Sequence, residues 1–151
     1  MTENIEINQQ LFINIDYNIY LPGQISTNTI EELKNKKFKI IVNNRPDDEE
    51  FNQLKSISLQ KTSEKFGIVY KHIPFSGGNV NSDQIKDLAD MLKKNTKTLI
   101  FCRSGARSSL IWGLASVIYL NKDIDDIMRK MSNMGYDSSI LPNMVEYFLN
   151  S

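Results

Sequence analysis

T-L-I-F-C-R-S-G-A-R-S-S-L-I-W-G-L-A-S-V-I-Y-L, residues 98–120, decides the fold. Its opening run, residues 98–101, is short and apolar and predicts a buried strand. The chain's one cysteine, Cys102, comes next. Two arginines, a glycine and serines follow within one turn, and residues 108–120 are apolar on nearly every side, which predicts a central, buried helix. A strand that turns tightly into a helix N-terminus, with a cysteine at the start of the turn, binds anions and activates a thiolate. The backbone N–H groups of Arg103, Ser104, Gly105, Ala106, Arg107 and Ser108 would face the sulfur or a bound anion. Arg107, with Arg103 beside it, adds formal charge, and its planar fork can hold two anion oxygens. Gly105 permits the sharp turn. Ser108 or Ser109 would cap the helix or donate to the thiolate. A lone buried cysteine is commonly inert. Arginines in a strand-to-helix turn, however, make poor core packing, so the loop is read as functional.

Outward from this loop, strands alternate with helices. Residues 38–42 and 68–73 predict buried strands, and residues 12–21 one or two short ones. Pro22-Gly23 marks a turn. Helices are predicted after Ser26 or Thr27 with Ile30 and Leu33 inward, and through Ile57, Leu59 and Lys65. A third follows a Ser82 cap with Ile85, Leu88, Ala89 and Leu92 inward. Two more follow, one after an Asp123 cap and one opened by Pro142, the latter with Met144, Val145, Phe148 and Leu149 on one stripe. This is an α/β pattern, three layers with a mainly parallel sheet flanked by helices. Residues 1–10 are polar and expected to be loose, leaving residues 11–151 as a single domain. At the C-terminal ends of parallel strands, three loops should meet: residues 43–49, 74–81 and 102–108.

The chain has 151 residues, 40% hydrophobic and 24% charged, with 18 Lys+Arg against 18 Asp+Glu. Zero net charge argues against a nucleic-acid or membrane-surface partner. One cysteine cannot close an intrachain disulfide, and no basic-then-apolar leader or span-length apolar run is present. A cytoplasmic location is expected. So is a small anionic or sulfane-sulfur substrate, without cofactor or metal; the sequence leaves oligomeric state open. Arg45 would bind substrate or pair with Asp47 or Glu49 to brace its loop, the second role being favoured. The only histidine, His72, is expected to make a structural hydrogen bond. Trp112 is expected in the core, and the acid run at residues 47–50 in solvent.

C-R-S-G-A-R-S resembles the active-site loop of rhodaneses, in which four residues separate Cys from Arg. Cysteine phosphatases share the glycine but place the arginine one residue later. Y-L-P-G-Q-I-S at residues 20–26, V-N-N-R-P-D-D-E at 42–49, H-I-P-F-S-G-G at 72–78, C-R-S-G-A-R-S-S-L-I-W at 102–112 and G-Y-D at 135–137 are together similar to one bacterial family. It is the phosphatase-like domain of the beta-lactamase-hydrolase-like proteins, whose members are often labelled sulfur transferases. The resemblance implies a dual-specificity-phosphatase-like fold, with Cys102 as nucleophile and Arg107 as the anion-binding arginine.

Two features turn the expected reaction toward sulfur. The shorter loop suits a persulfide sulfur better than a whole phosphate. Cysteine phosphatases also carry an aspartic acid just after the strand ending here in H-I-P-F, where this chain has Ser76-Gly77-Gly78. Asp47, Glu49 or Asp83 would have to supply the proton instead. The favoured expectation is therefore sulfur transfer through a Cys102 persulfide to an external thiol acceptor. The alternative is a phosphatase-type hydrolase working through a phosphocysteine. A third reading is a non-catalytic anion-binding or redox-sensing module.

Overall fold

The computed structural model describes residues 3–151. One six-stranded sheet has the order β1-β2-β3-β6-β4-β5. Its strands are β1 (Ile5–Ile7), β2 (Gln10–Asp16), β3 (Ile19–Leu21), β4 (Ile40–Asn43), β5 (Val69–His72) and β6 (Thr98–Phe101). β3, β6, β4 and β5 are mutually parallel, while β1 and β2 add an antiparallel edge. β6 therefore lies inside the sheet, between β3 and β4.

Residues alternate across the central strands, and each face has its own core. Ile40 and Val42 of β4 and Ile100 of β6 point into the core formed with α3 (Ser82–Leu92), α4 (Ala106–Tyr119), α5 (Ile124–Asn133) and α6 (Leu141–Leu149). Ile41, Leu99 and Phe101 point the other way, onto α1 (Thr27–Asn35) and α2 (Ser56–Lys65). Burial on both faces explains why β4 and β6 are apolar without alternation. Each such fully buried side chain contributes about 1.5–3 kcal/mol. α4 is the central helix, with Trp112 1% exposed in the first core. No helix among the described residues is long and apolar enough to cross a membrane.

Several details differ from expectation. The segment 1–10, expected to be loose, contributes β1 and the start of β2; residues 1 and 2 lie outside the described residues. Ile7 pairs with Gln10 across a two-residue turn in which Asn8 and Gln9 both have positive φ, 52° and 66°. This is the hairpin geometry normally signalled by Asn-Gly. Asn81, not Ser82, caps α3, its side chain accepting from the Gln84 amide in a capping box. α4 begins at Ala106, two residues before the expected start, with Gly105 as its N-cap. Leu149, expected on one stripe with Val145, is exposed while Val145 is buried. Asp123 caps α5 as expected.

Candidate active site

β6 ends at Phe101 and delivers Cys102, 1% exposed, to the floor of a tight loop. The Gly105 amide donates to Cys102 Sγ at 3.1 Å. Gly105 reaches back this far because its φ is +97°, a left-handed conformation that glycine adopts without strain. α4 then starts at Ala106, so its N-terminal end faces the loop.

The three expected loops do meet here, and Asn44 is their hub. Fully buried, it donates its amide N–H to Phe101 O and its side-chain NH2 to Ile73 O, and its own carbonyl accepts from the Phe75 amide. Asn44 Oδ1 accepts from Ser108 Oγ at 3.0 Å. Ser108, expected at the anion site, is thus turned into the protein. Ser109 donates to Ala106 O, so neither serine caps α4 or reaches the sulfur.

Arg107 leaves the first turn of α4 and crosses to both neighbouring loops. Its Nη1 and Nη2 donate to the two carboxylate oxygens of Glu49 at 2.7 and 2.9 Å, and Nη1 also donates to Phe75 O at 3.1 Å. Glu49 thereby takes one edge of the guanidinium and leaves the Nε edge clear of the carboxylate. Arg107 holds its proton more firmly than usual, chiefly through the Glu49 hydrogen bond, with Cys102 adding to the effect.

Arg45 is 4% exposed and braces the same carboxylate. Its Nε donates to Glu49 Oε1 at 2.9 Å and its Nη1 to Gln24 Oε1 at 2.9 Å. Its Nη2 lies 3.1 Å from Glu50 Oε1, and Glu50 in turn meets Arg103 Nε at 2.6 Å. A chain of alternating charge therefore runs Arg103–Glu50–Arg45–Glu49–Arg107. Its outer pair is solvent-exposed and contributes little; its inner pairs hold the loop. Arg45, expected as a substrate contact or a brace, occupies the bracing position. Glu50, expected in solvent, joins the network.

Of the three carboxyls expected as proton donors, Glu49 and Asp47 are otherwise engaged. The two arginines hold the Glu49 carboxyl at a pKa of about 2, so at neutral pH it has no proton to give. The arginine partners explain this correction. Asp47 accepts from the Ser56 amide at the start of α2, and Asp83 sits exposed in the first turn of α3. His72 accepts its expected structural role, Nε2 lying 2.8 Å from Arg45 O.

Two contributors carried no signal by spacing. The Gln24 amide donates to Arg103 O at 3.2 Å. A Cβ on Gly23 would stand 2.7 Å from that same carbonyl oxygen. Gly23→Ala should therefore displace the loop backbone, lowering stability by about 1–3 kcal/mol and weakening phosphate binding. Thermal unfolding and titration calorimetry read both, and an unchanged variant would show that the contact is slack. Tyr136 is the second. Its hydroxyl lies where a Gly105 Cβ would be, 2.6 Å from it. Burial first, then the charge of Cys102, pushes its phenol up to about 12, so it stays a donor beside the loop.

The beta-lactamase hydrolase-like protein of Xylella fastidiosa is 24% identical over 126 residues, 83% of this chain. Those residues cover 29% of that relative, so the chain spans under a third of its length. A solved candidate phosphatase from Neisseria meningitidis superposes with a TM-score of 0.72 at 22% identity, covering 89% of this chain and 95% of that one. Kinase associated phosphatase, with its catalytic-site cysteine replaced by serine, gives 0.70 at 18% identity, covering 87% and 85%. At these identities the likeness concerns the fold: a cysteine-phosphatase-like α/β domain of the dual-specificity type, with a central sheet flanked by helices. The family described as beta-lactamase hydrolase-like protein, phosphatase-like domain, matches residues 12–118, well over half of the sequence, and the chain belongs to it.

Proposed function

We propose that this chain is a cysteine-dependent hydrolase of phosphomonoesters. One observation carries the reading. In a phosphatase-like domain, Cys102 lies at the end of β6 with the Gly105 amide on its sulfur, while Arg107 of the same loop keeps its Nε edge clear of Glu49. In the first step the Cys102 sulfur attacks phosphorus. An S–P bond forms, the ester P–O bond breaks, and the leaving oxygen keeps the electron pair. Water then attacks phosphorus, releasing phosphate and returning the thiolate. Loop amides and Arg107 offset the charge that gathers on the equatorial oxygens. With Glu49 ionised and Asp47 on a helix end, leaving groups that need no proton, such as phenols, are the substrates favoured. The phosphatase labels of the solved relatives support the same reaction.

Sulfur transfer is the second reading, favoured by two observations. Four residues, not five, separate Cys102 from Arg107, and the carboxyl nearest Arg107 holds no proton. Here the thiolate attacks a sulfane sulfur, a new S–S bond forms, the donor's S–S bond breaks, and the persulfide sulfur passes to an external thiol. Mass spectrometry of Cys102 after brief exposure to an aryl phosphate or to polysulfide separates the two. A phosphoryl adduct with phosphate release is expected. A sulfur adduct alone, passed on to glutathione, would replace the hydrolase reading. Phosphate binding with neither adduct would reduce the loop to an anion-binding module.

A further inference from the structure

A hollow of about 280 Å³ opens beside Arg107, walled by Gly77, Ala106, Leu110 and Ile140, with Asp137 at its edge. A second, of about 460 Å³, shares Gly78 and Ile140 with the first and runs on along α6 over Met144, Tyr147 and Phe148. The two adjoin at Gly78 and Ile140, so together they lead from Arg107 outward along α6. The chemistry changes along this path. Among the described residues, Arg107 and Asp137 are the charged ones of the first hollow, and no charged side chain lines the second. The Asp137 carboxylate is itself occupied by the Ser139 amide at 2.9 Å. Ile140 and Tyr147 are 48% and 67% exposed along this groove.

We propose that this groove binds the apolar tail of the substrate, so that the preferred substrate is an amphiphile: a phosphomonoester head at Cys102 and Arg107, and an extended hydrocarbon body along α6. This rests on the hydrolase reading for the head and on the groove alone for the tail. Charge complementarity selects the occupant. One end presents the Arg107 guanidinium, with Asp137 at the outer edge held by the Ser139 amide, and the other presents only uncharged side chains, in the order an anionic amphiphile requires. A phosphopeptide would instead bring a run of backbone N–H and C=O groups over a wall whose polar side-chain groups are Asn79, Asn143 and the Tyr147 hydroxyl.

The test is a series of 4-alkylphenyl phosphates, methyl through octyl, used below their micelle concentrations. The phenol leaving group stays constant while the tail grows. kcat/KM should rise roughly two- to fourfold per added methylene until the groove is filled. Met144→Ser and Tyr147→Ser, which alter only the second hollow, should flatten the long-chain end of that rise. In parallel, binding of the matching alkylphosphonates to the Cys102→Ser variant reads the groove without chemistry. A flat series with turnover intact, or a stronger preference for phosphotyrosine peptides than for any tail, overturns the groove. No turnover of any member, with tail-dependent phosphonate binding preserved, overturns the hydrolase reading and leaves the groove standing.

Discussion

Cys102→Ser should lower kcat/KM for an aryl phosphate by at least about a thousandfold. The reason lies in the sulfur's position. It sits on the loop floor, nine parts in ten and more withdrawn from solvent, and it is the one thiol of the chain. A serine oxygen in its place remains un-ionised at neutral pH and is a far poorer nucleophile than a thiolate. The fold should tolerate the exchange. The Gly105 amide that donates to Sγ can donate to an oxygen, and the smaller atom leaves a void below the size of a methyl group, a cost of under about 1 kcal/mol. Phosphate affinity should therefore stay within about threefold, since Arg107 and the loop amides are untouched. Steady-state kinetics beside phosphate titration read the two quantities together. Turnover that survives in the variant would remove Cys102 from the chemistry, whatever its surroundings suggest.

Glu49→Gln has the second largest expected effect, and it acts on stability and turnover at once. Glu49 Oε1 accepts from both Arg45 Nε and Arg107 Nη2, and Oε2 accepts from Arg107 Nη1. A glutamine can offer one oxygen to the first two, but its NH2 then faces the Nη1 donor. Arg45, almost wholly buried, loses its main countercharge. At neutral pH the loss should be about 2 kcal/mol, allowing for solvent screening of a carboxylate a quarter exposed. The pH dependence has a definite sign. The Glu49 carboxyl falls from 4.5 to about 2 on folding. Its contribution is complete above pH 4.5 and disappears as pH falls toward 2. The gap between wild type and variant should therefore close across that window. Urea unfolding between pH 3 and 7 reads it, and a gap independent of pH would mean that glutamine fails through packing rather than charge. Turnover should fall about tenfold or more, because an Arg107 fork without its lower support no longer holds its Nε edge in place.

The parts of this molecule legible from sequence are those governed by short-range physics. β6 falls on residues 98–101 as expected because a run buried on both faces must be apolar throughout. The Cys102 and Arg107 pairing, the α/β layering and the meeting of three strand-end loops are likewise properties of one turn or of strand direction. What escaped depends on partners far along the chain. Ser108 looks like a cap by composition, yet Asn44, 64 residues away, takes its hydroxyl. Glu50 lies in an acid run that reads as solvated surface, and it is exposed as expected; what the spacing did not show is its approach to Arg45 and Arg103. The β1–β2 hairpin escaped for a local reason: Gln9 takes the left-handed position where glycine would have announced the turn.

Tyr136 illustrates the limit from the other side. G-Y-D at residues 135–137 lies beyond the part of the chain that matches the family, and nothing in its spacing places a phenol against Gly105. The proton-donor question follows the same logic. Glu49 had the right chemistry and the right loop, and the two arginines that gather there remove its proton.

The hydrogen bond from the Gln24 amide to the Arg103 carbonyl bears on timing as well as on place. A trans peptide is planar, and its C=O and N–H point in opposite directions. Fixing the Arg103 oxygen toward Gln24 therefore aims the Ser104 N–H away from it. A loop of this kind can bind an anion by rotating a peptide plane on arrival, or by having the plane already turned. Here a segment 79 residues upstream fixes the plane through a contact of the fold itself, so the rotational cost is met when the chain folds.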